Sequence, residues 1–153
     1  MIIRTLLTIA GLVLATQSFA ASVTVHDAHA RATFPMAQSG AVYLALTNTS
    51  DKPVTVTGVT VDAAVADDAQ IHTTDMQGDV MQMREVTDGV TLAPGQKVAF
   101  APGGYHIMLL GLKNGLDEGN SVDLTLQLTS GETVDVTAAI KAIDKQTGHH
   151  HHH

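Results

Sequence analysis

The sequence predicts an all-β fold, an antiparallel β-sandwich or Greek-key barrel, from three observations. Apolar residues alternate with polar ones in short segments, and Gly or Pro stands in the gaps between them. After residue 20, no window of a dozen residues carries the three-to-four spacing of a helix. The 153 residues fit one domain of immunoglobulin-like or cupredoxin-like proportions.

The strands are expected to follow one another with turn residues between them. A change in parity of the apolar positions at Gly58 predicts a β-bulge, and Ser130 with Gly131 predicts a hairpin between the last two strands. The segment 62–68 allows at most one short helical turn. The predicted strands, in chain order, are 22–26, 42–47, 54–61, 70–73, 80–85, 89–92, 97–100, 106–112, 122–128 and 134–140.

Both ends of the chain are expected to lie outside this domain. Residues 1–20 have the pattern of a secretory signal peptide: one basic residue, an apolar run too short to span a bilayer, and small residues before a cleavage point near Ala20. Residues 148–153, Gly followed by five His, look like a purification tag. We therefore expect a mature domain at 21–147 that is secreted.

Charge and cysteine content exclude several classes of function. The chain has 8 Lys and Arg against 15 Asp and Glu, and no basic cluster. We therefore expect no nucleic-acid partner and no stable membrane insertion. Because there is no cysteine, the fold has no disulfide and no thiolate chemistry, so a metal would be held by His, Met or carboxylate.

Catalytic motifs are missing from the sequence. It has no G-x-S-x-G nucleophile elbow, no phosphate-binding loop, no dinucleotide fingerprint and no H-E-x-x-H. We therefore expect a protein that is not an enzyme.

Methionine is the unusual feature of the composition. Three methionines lie in the polar stretch 76–83. The ordinary explanation of any one of them is that methionine fills irregular gaps in a core. The five methionines after the signal segment are Met36, Met76, Met81, Met83 and Met108.

Two pairs of residues suggest a soft metal site. His106 and Met108 project from the same face of a predicted strand, with Ile107 between them facing inward. His72 follows an apolar residue and should face away from the core, and a hairpin closed by the loop 74–79 would bring Met83 near it. An H-x-M tripeptide alone is weak evidence, since a histidine at a strand start is commonly a surface or hydrogen-bonded residue.

The donor types select the metal. Two neutral imidazoles and two thioethers form a soft, uncharged set, which favours Cu(I). Calcium and magnesium require oxygen ligands, and zinc prefers thiolate, imidazole or carboxylate.

The spacing of these residues resembles the signature of the periplasmic copper chaperones of the PCu(A)C family. Ten residues separate His72 from Met83, twenty-two separate Met83 from His106, and one separates His106 from Met108. The resemblance runs from about residue 23 to residue 140. Flanking segments that also resemble the family are 27–31 (Asp-Ala-His-Ala-Arg), 41–44 with Asn48, 83–86 (Met-Arg-Glu-Val) and 102–109 (Pro-Gly-Gly-Tyr-His-Ile-Met-Leu).

The resemblance implies a cupredoxin-like β-barrel with one Cu(I) at an exposed site, held by His72, Met83, His106 and Met108. It implies delivery of copper in the periplasm toward respiratory oxidases, particularly cytochrome c oxidase subunit II, often alongside Sco-like proteins. Transfer by ligand exchange would require partial exposure of Met83 or Met108 and favours a monomer.

Two sets of methionines leave alternatives open. Met81 shares its strand parity with Met83 and is an alternative ligand, although the spacing and the following Arg84 favour Met83. Met36 and Met76 are expected in loops, where they either help to capture or shield copper or make ordinary apolar contacts.

The chain departs from the family pattern in two places. His29 stands where the family usually has tryptophan, which affects packing there. The sequence up to 147 lacks the His- and Met-rich tail that some members carry, so we expect no second copper site of that kind.

A metal-binding β-sandwich has three rival interpretations. A blue-copper electron carrier needs a cysteine, and a copper oxidase or superoxide dismutase needs more converging histidines. The alternative that survives is a secreted β-sandwich interaction or adhesion module with no metal role.

Overall fold

The computed structural model describes residues 21–142 as ten strands without a helix. In these residues, no helix is long and apolar enough to cross a membrane. The expected signal peptide (1–20) and histidine tag (148–153) lie outside the described residues. The strands are β1 Val23–Arg31, β2 Ser39–Asn48, β3 Val54–Val61, β4 Ala66–Gln77, β5 Val80–Glu85, β6 Val90–Leu92, β7 Lys97–Phe100, β8 His106–Leu112, β9 Ser121–Leu128 and β10 Thr133–Lys141.

The strands form one sheet in the order β5-β4-β8-β2-β1-β10-β9-β3-β6, with β7 also paired to β2. The all-β prediction is confirmed, and β3, β5, β7 and β8 have their predicted bounds. The pairing of β1 with β10 is parallel, so the expectation of a wholly antiparallel arrangement is wrong for this pair. Contacts between β3 and β4 bring the two halves of the sheet together around one core.

Alternation along the strands builds that core. Leu46, Leu92, Ile107, Leu109 and Leu126 are among its largest fully buried side chains. Burial of each such side chain contributes roughly 1.5–3 kcal/mol. Because one face of each of these strands is fixed against the core, the direction of every side chain on the opposite face is fixed as well.

Two bulges adjust this register. Between β3 and β9 the register shifts between Val56 and Gly58, which confirms the bulge predicted at Gly58. Between β1 and β2 it shifts between His26 and His29, and Asp27 there has a φ of 53°. This second bulge places His29 opposite Tyr43.

The hairpin of β4 and β5 is longer than predicted. Thr74 pairs with Met83, Met76 with Met81, and Gln77 with Val80, so the turn contains only Gly78 and Asp79. The predicted loop 74–79 and the loop position of Met76 are therefore wrong. Gly78 has a φ of 64°, the left-handed conformation that a two-residue hairpin turn requires.

Candidate metal centre

Three neighbouring strands present the predicted ligands on one face. His72 on β4 pairs directly with His106 on β8, and Gln70 pairs with Met108. On the other side of β4, Thr74 pairs with Met83. Directly paired residues in an antiparallel sheet project to the same face, as do residues two apart in a strand. The register thus brings all four predicted ligands to one side of β5-β4-β8.

His106 is held by the loop that precedes its strand. Its ring is 4% exposed, and its Nδ1 lies 3.1 Å from the carbonyl oxygen of Gly104. Gly103 has a φ of 86°, and the Gly104 amide donates to the carbonyl oxygen of Ala101 at 3.0 Å. The Pro-Gly-Gly segment is thus a tight turn that aims one carbonyl at the imidazole.

The other nitrogen of His106 has no partner. Nδ1 must carry the proton in order to donate to a carbonyl oxygen, so Nε2 is the nitrogen with the lone pair. His106 Nε2 is buried and makes no hydrogen bond to any part of residues 21–142. Leaving a buried polar atom unpaired costs about 1–3 kcal/mol, and such atoms are rare in native structures. A ring nitrogen with a free lone pair, on an imidazole oriented by its other nitrogen, has the donor chemistry of a metal ligand.

A chain of hydrogen bonds sets the tautomer of His72. Gln70 Nε2 donates to Asp68 Oδ2 at 2.8 Å, and Gln70 Oε1 lies 2.9 Å from His72 Nε2. Because an amide NH₂ faces the carboxylate, the amide oxygen faces the imidazole and must accept from it. His72 therefore carries its proton on Nε2 and has its lone pair on Nδ1.

The two imidazoles lie close together. Their ring centroids are 5.9 Å apart, with an angle of 47° between the ring planes. The pKa of His72 is lowered below 6.5, first by desolvation and then by the charge of His106, while Glu85 acts in the opposite direction. Both the geometry and the lowered pKa favour an uncharged His72 at neutral pH, which is the form that binds a metal.

The methionines of the hairpin do not fill the core. Met76 and Met81 are each 62% exposed and Met83 is 65% exposed, while Met108 is half-buried. Met36 is 86% exposed. The core-filling explanation is therefore wrong for four of the five, and Met83 has the exposure expected for ligand exchange.

An open groove of about 490 Å³ connects these side chains. Met81, Met83, His106 and Met108 line it, and His72 lies beside it as the cross-strand partner of His106. Both Met81 and Met83 reach the groove, but Met83 pairs closer to His72, opposite Thr74. The register therefore favours Met83 over Met81 as the partner of the histidines.

Tyr43 on β2 lines the groove on the side of β8 away from β4. Tyr43 is buried, with the His29 ring 5.7 Å away and Arg31 Cζ 5.7 Å above the Tyr43 ring. His29 Nδ1 lies 2.8 Å from the carbonyl oxygen of Asp27. His29 therefore packs against Tyr43 and is tied to its own bulge.

Within residues 21–142, no group of three or more His, Asp and Glu side chains is arranged to hold a metal ion. The soft donors that share this face with His72 and His106 are the thioethers of Met83 and Met108. The sequence had indicated the four side chains. It gave no sign of Gln70 or the Gly104 carbonyl, because their roles depend on contacts that side-chain spacing does not encode.

The fold and sequence match known proteins. An apo PCuAC domain from PmoF1 is 27% identical, with a TM-score of 0.65, and the match covers 82% of this chain and 98% of that one. The solution structure of CuI-DR1885 from Deinococcus radiodurans is 32% identical, with a TM-score of 0.60 and 76% of each chain covered. A copper-bound PCuAC domain from PmoF2, 22% identical with a TM-score of 0.64, covers 82% of this chain and 97% of that one and shares the fold. The cupredoxin-like β-barrel predicted from the family resemblance is confirmed.

A curated relative matches a shorter region. It is the "Putative lipoprotein Lxx21020" of Leifsonia xyli subsp. xyli, 35% identical over 94 residues, or 61% of this chain. The chain spans 55% of the length of that relative. A family described as "Putative lipoprotein LpqE-like" matches residues 23–140, nearly every described residue. The chain therefore belongs to the LpqE-like family, and its fold is that of PCuAC domains.

Proposed function

We propose that this protein is a periplasmic copper chaperone that binds one Cu(I) through His72, Met83, His106 and Met108. The observation that carries the proposal is His106 Nε2, a buried lone pair without a partner on the wall of a groove lined by thioethers. An uncompensated buried nitrogen is a cost to the fold that a bound soft metal would remove.

The four proposed ligands differ in donor atom and in exposure. His106 Nε2 and His72 Nδ1 are the nitrogens left free by hydrogen bonds to Gly104 and Gln70. Met108 is half-buried beside them, and Met83 is the exposed donor. Thioethers and neutral imidazoles bind without losing a proton, so the ion can be taken up and released without acid–base chemistry.

Exposure of Met83 supports transfer rather than permanent storage. An incoming ligand from a partner can displace the Met83 sulfur while the three less exposed donors still hold the ion. Such a protein binds and transfers copper without catalysing a reaction, so we propose a chaperone and not an enzyme. The solution structure of the Cu(I) form of DR1885 supports the choice of metal.

The proposed clients are the copper centres of respiratory oxidases, in particular that of cytochrome c oxidase subunit II. A Sco-like protein is the proposed second partner in this delivery. The family resemblance supports this assignment, and the lipoprotein names of the family and of the relative support export. A transfer assay from the loaded protein to purified apo-subunit II and to a Sco-like protein tests the client directly.

Competition with a chromophoric Cu(I) chelator under anaerobic conditions, on protein without the C-terminal histidines, tests the site. The intact protein should keep one equivalent of Cu(I) from the chelator. Met108→Ala should weaken Cu(I) more than Cu(II), because the remaining imidazoles still suit Cu(II). His106→Phe should withhold none, yet its free energy of unfolding should change by less than about 1.5 kcal/mol, since an unpaired nitrogen is removed.

A matched control is His26→Gln, which removes an exposed histidine on β1. It should withhold the same equivalent as the intact protein. If the intact protein withholds no Cu(I), or if His106→Phe still withholds one equivalent, the proposed site is wrong and a β-sandwich interaction module is the better interpretation.

A further inference from the structure

The outer end of the β4–β5 hairpin carries three methionines on one face. Met76 pairs directly with Met81, and Met83 is two residues further along β5. In an antiparallel pair, directly opposite residues have Cβ atoms about 4.5–5.5 Å apart, and diagonal neighbours are about 7–8 Å apart. A methionine side chain has three rotatable bonds. Rotamer changes alone can therefore bring the three sulfurs around one ion.

Packing does not explain these side chains. All three are more than 60% exposed, and Val80 in the same hairpin is 57% exposed. The opposite face of the hairpin carries an ion pair between Asp75 and Arg84. The hairpin thus has one charged face, which is well solvated. Its other face carries thioethers, which are neither well solvated nor buried in the core.

The thioether face is continuous with the proposed centre. Met81 and Met83 both line the groove that contains His106 and Met108, whereas Met76 lies one step further out, opposite Met81. Met83 therefore belongs to both groups of donors. An ion held at the outer group could reach the inner group without losing contact with Met83.

We propose that Met76, Met81 and Met83 form a second Cu(I) position, from which the ion passes to the inner site. In the exchange step, Met83 stays bound while the sulfurs of Met76 and Met81 are replaced by His106 Nε2 and the Met108 sulfur, and His72 Nδ1 then completes the four-ligand inner set. Copper stays in the +1 state, and no proton moves because every donor is neutral. This inference rests on the proposed function, since it uses the same metal and the same final site.

The two positions share a ligand and so cannot both be complete. Three thioethers alone form a weaker set than two thioethers with two imidazoles, so the inner site is the stable end of the path. The outer position should therefore appear as a faster route of loading and as a residual site when the histidines are removed.

The first test isolates the outer position. In His72→Ala/His106→Phe protein without the C-terminal histidines, one Cu(I) should still bind, too weakly to be withheld from the chelator used on the intact protein, and X-ray absorption without chelator should show sulfur neighbours and no imidazole nitrogen. Adding Met76→Leu and Met81→Leu should abolish that binding. Leucine keeps the size and apolar character of methionine, and both positions are exposed, so the fold should be retained. Absence of sulfur-bound copper in the folded histidine variant would overturn the inference.

The second test uses the protein with its histidines intact, and so does not depend on the folding of the first variant. Met76→Leu/Met81→Leu should withhold the same single Cu(I) at equilibrium but take it up several-fold more slowly from the chelator in stopped-flow measurements. Met36→Leu is the matched control, because it removes an exposed methionine outside the hairpin. Equal loading rates for these two variants would overturn the inference.

The outcomes separate this inference from the proposed function. If the intact protein withholds one Cu(I) and Met76→Leu/Met81→Leu loads as fast as Met36→Leu, only the outer position is wrong. If the intact protein withholds no Cu(I), the proposed function and the outer position are both wrong.

Discussion

At the scale of single residues, the two histidines of the centre differ in which ring nitrogen is free. His106 uses Nδ1 to bond the Gly104 carbonyl, and His72 uses Nε2 to bond Gln70. Hydrogen bonds of this kind fix the tautomer and the ring orientation of metal ligands. The backbone therefore orients one imidazole, and a neighbouring side chain orients the other.

This arrangement makes Gln70 a positioning residue for His72. Gln70→Ala should weaken Cu(I) binding by about tenfold, because loss of such a support typically costs 10–100-fold in metal affinity. Chelator competition measures the affinity, and ¹⁵N NMR of the imidazoles should show that His72 no longer favours one tautomer. Gln70→Glu, which keeps an acceptor oxygen, should restore the tautomer. Tighter binding by Gln70→Ala would mean that copper uses His72 Nε2 and that Gln70 competes with the metal.

The four proposed ligands could be predicted from the sequence, whereas their supports could not. Ile71 and Ile107 are fully apolar neighbours of His72 and His106, and their burial fixes the side to which the histidines point. The orientation of each imidazole depends instead on Gln70 and on a backbone carbonyl. A polar residue two positions away in a strand has many possible partners, so spacing alone does not reveal this contact.

At the scale of elements, the β4–β5 hairpin determines where Met83 lies. It is an edge hairpin held by its ladder, by its two-residue turn and by the Asp75–Arg84 ion pair. Its strand was predicted too short because residues 74–77, Thr-Asp-Met-Gln, lack apolar alternation. Both faces of this segment are solvent-accessible, so pairing with β5, and not burial, makes it a strand.

Gly78 is the residue on which this turn depends. Its φ of 64° disfavours any side chain, and no atom lies within 4 Å of a Cβ added there. Gly78→Ala should therefore cost only the backbone conformational term, about 1–2 kcal/mol, and the cost should fall on the hairpin. We expect faster amide hydrogen exchange at Met81 and Met83, and weaker Cu(I) retention.

Gly95 offers a matched control for this substitution. It has a φ of 76° and open space around it, but it lies between β6 and β7, away from the groove. Gly95→Ala should lower stability by a similar amount and leave Cu(I) retention unchanged. Equal loss of copper in both variants would show that general stability, and not the hairpin, controls the site.

At the scale of the whole molecule, the site depends on contacts between distant parts of the chain. β8 lies between β4 and β2, so His106 is placed by partners on both sides. Asn48 is fully buried where β2 ends, and it donates to the carbonyl oxygens of Lys52 and Leu92 at 2.7 and 3.0 Å. The proposed metal centre therefore lies on the face of the sheet opposite the core, and we expect protonation of its histidines to be linked to the free energy of unfolding.

The pKa shift of His72 determines the direction in which stability changes with pH. The pKa of His72 is lowered in the folded protein by desolvation and by His106, with Glu85 opposing them. In the unfolded chain the ordinary value is about 6.5. As the pH falls below this value, the unfolded chain takes up a proton that folded His72 resists. The free energy of unfolding of the metal-free protein should therefore decrease as the pH falls through 6.5 toward the folded pKa, and not above this range.

Chemical denaturation across this pH range, on protein without the C-terminal histidines, measures the effect. His72→Gln should flatten the dependence, because glutamine does not titrate, whereas His26→Gln on the exposed part of β1 should leave it unchanged. Saturating Cu(I) should also reduce the pH dependence of the free energy of unfolding in the intact protein, since a metal-bound imidazole cannot accept the proton. If His72→Gln and the intact protein lose stability in parallel on acidification, His72 is not the group that links protonation to folding, and acidification acts elsewhere in the molecule.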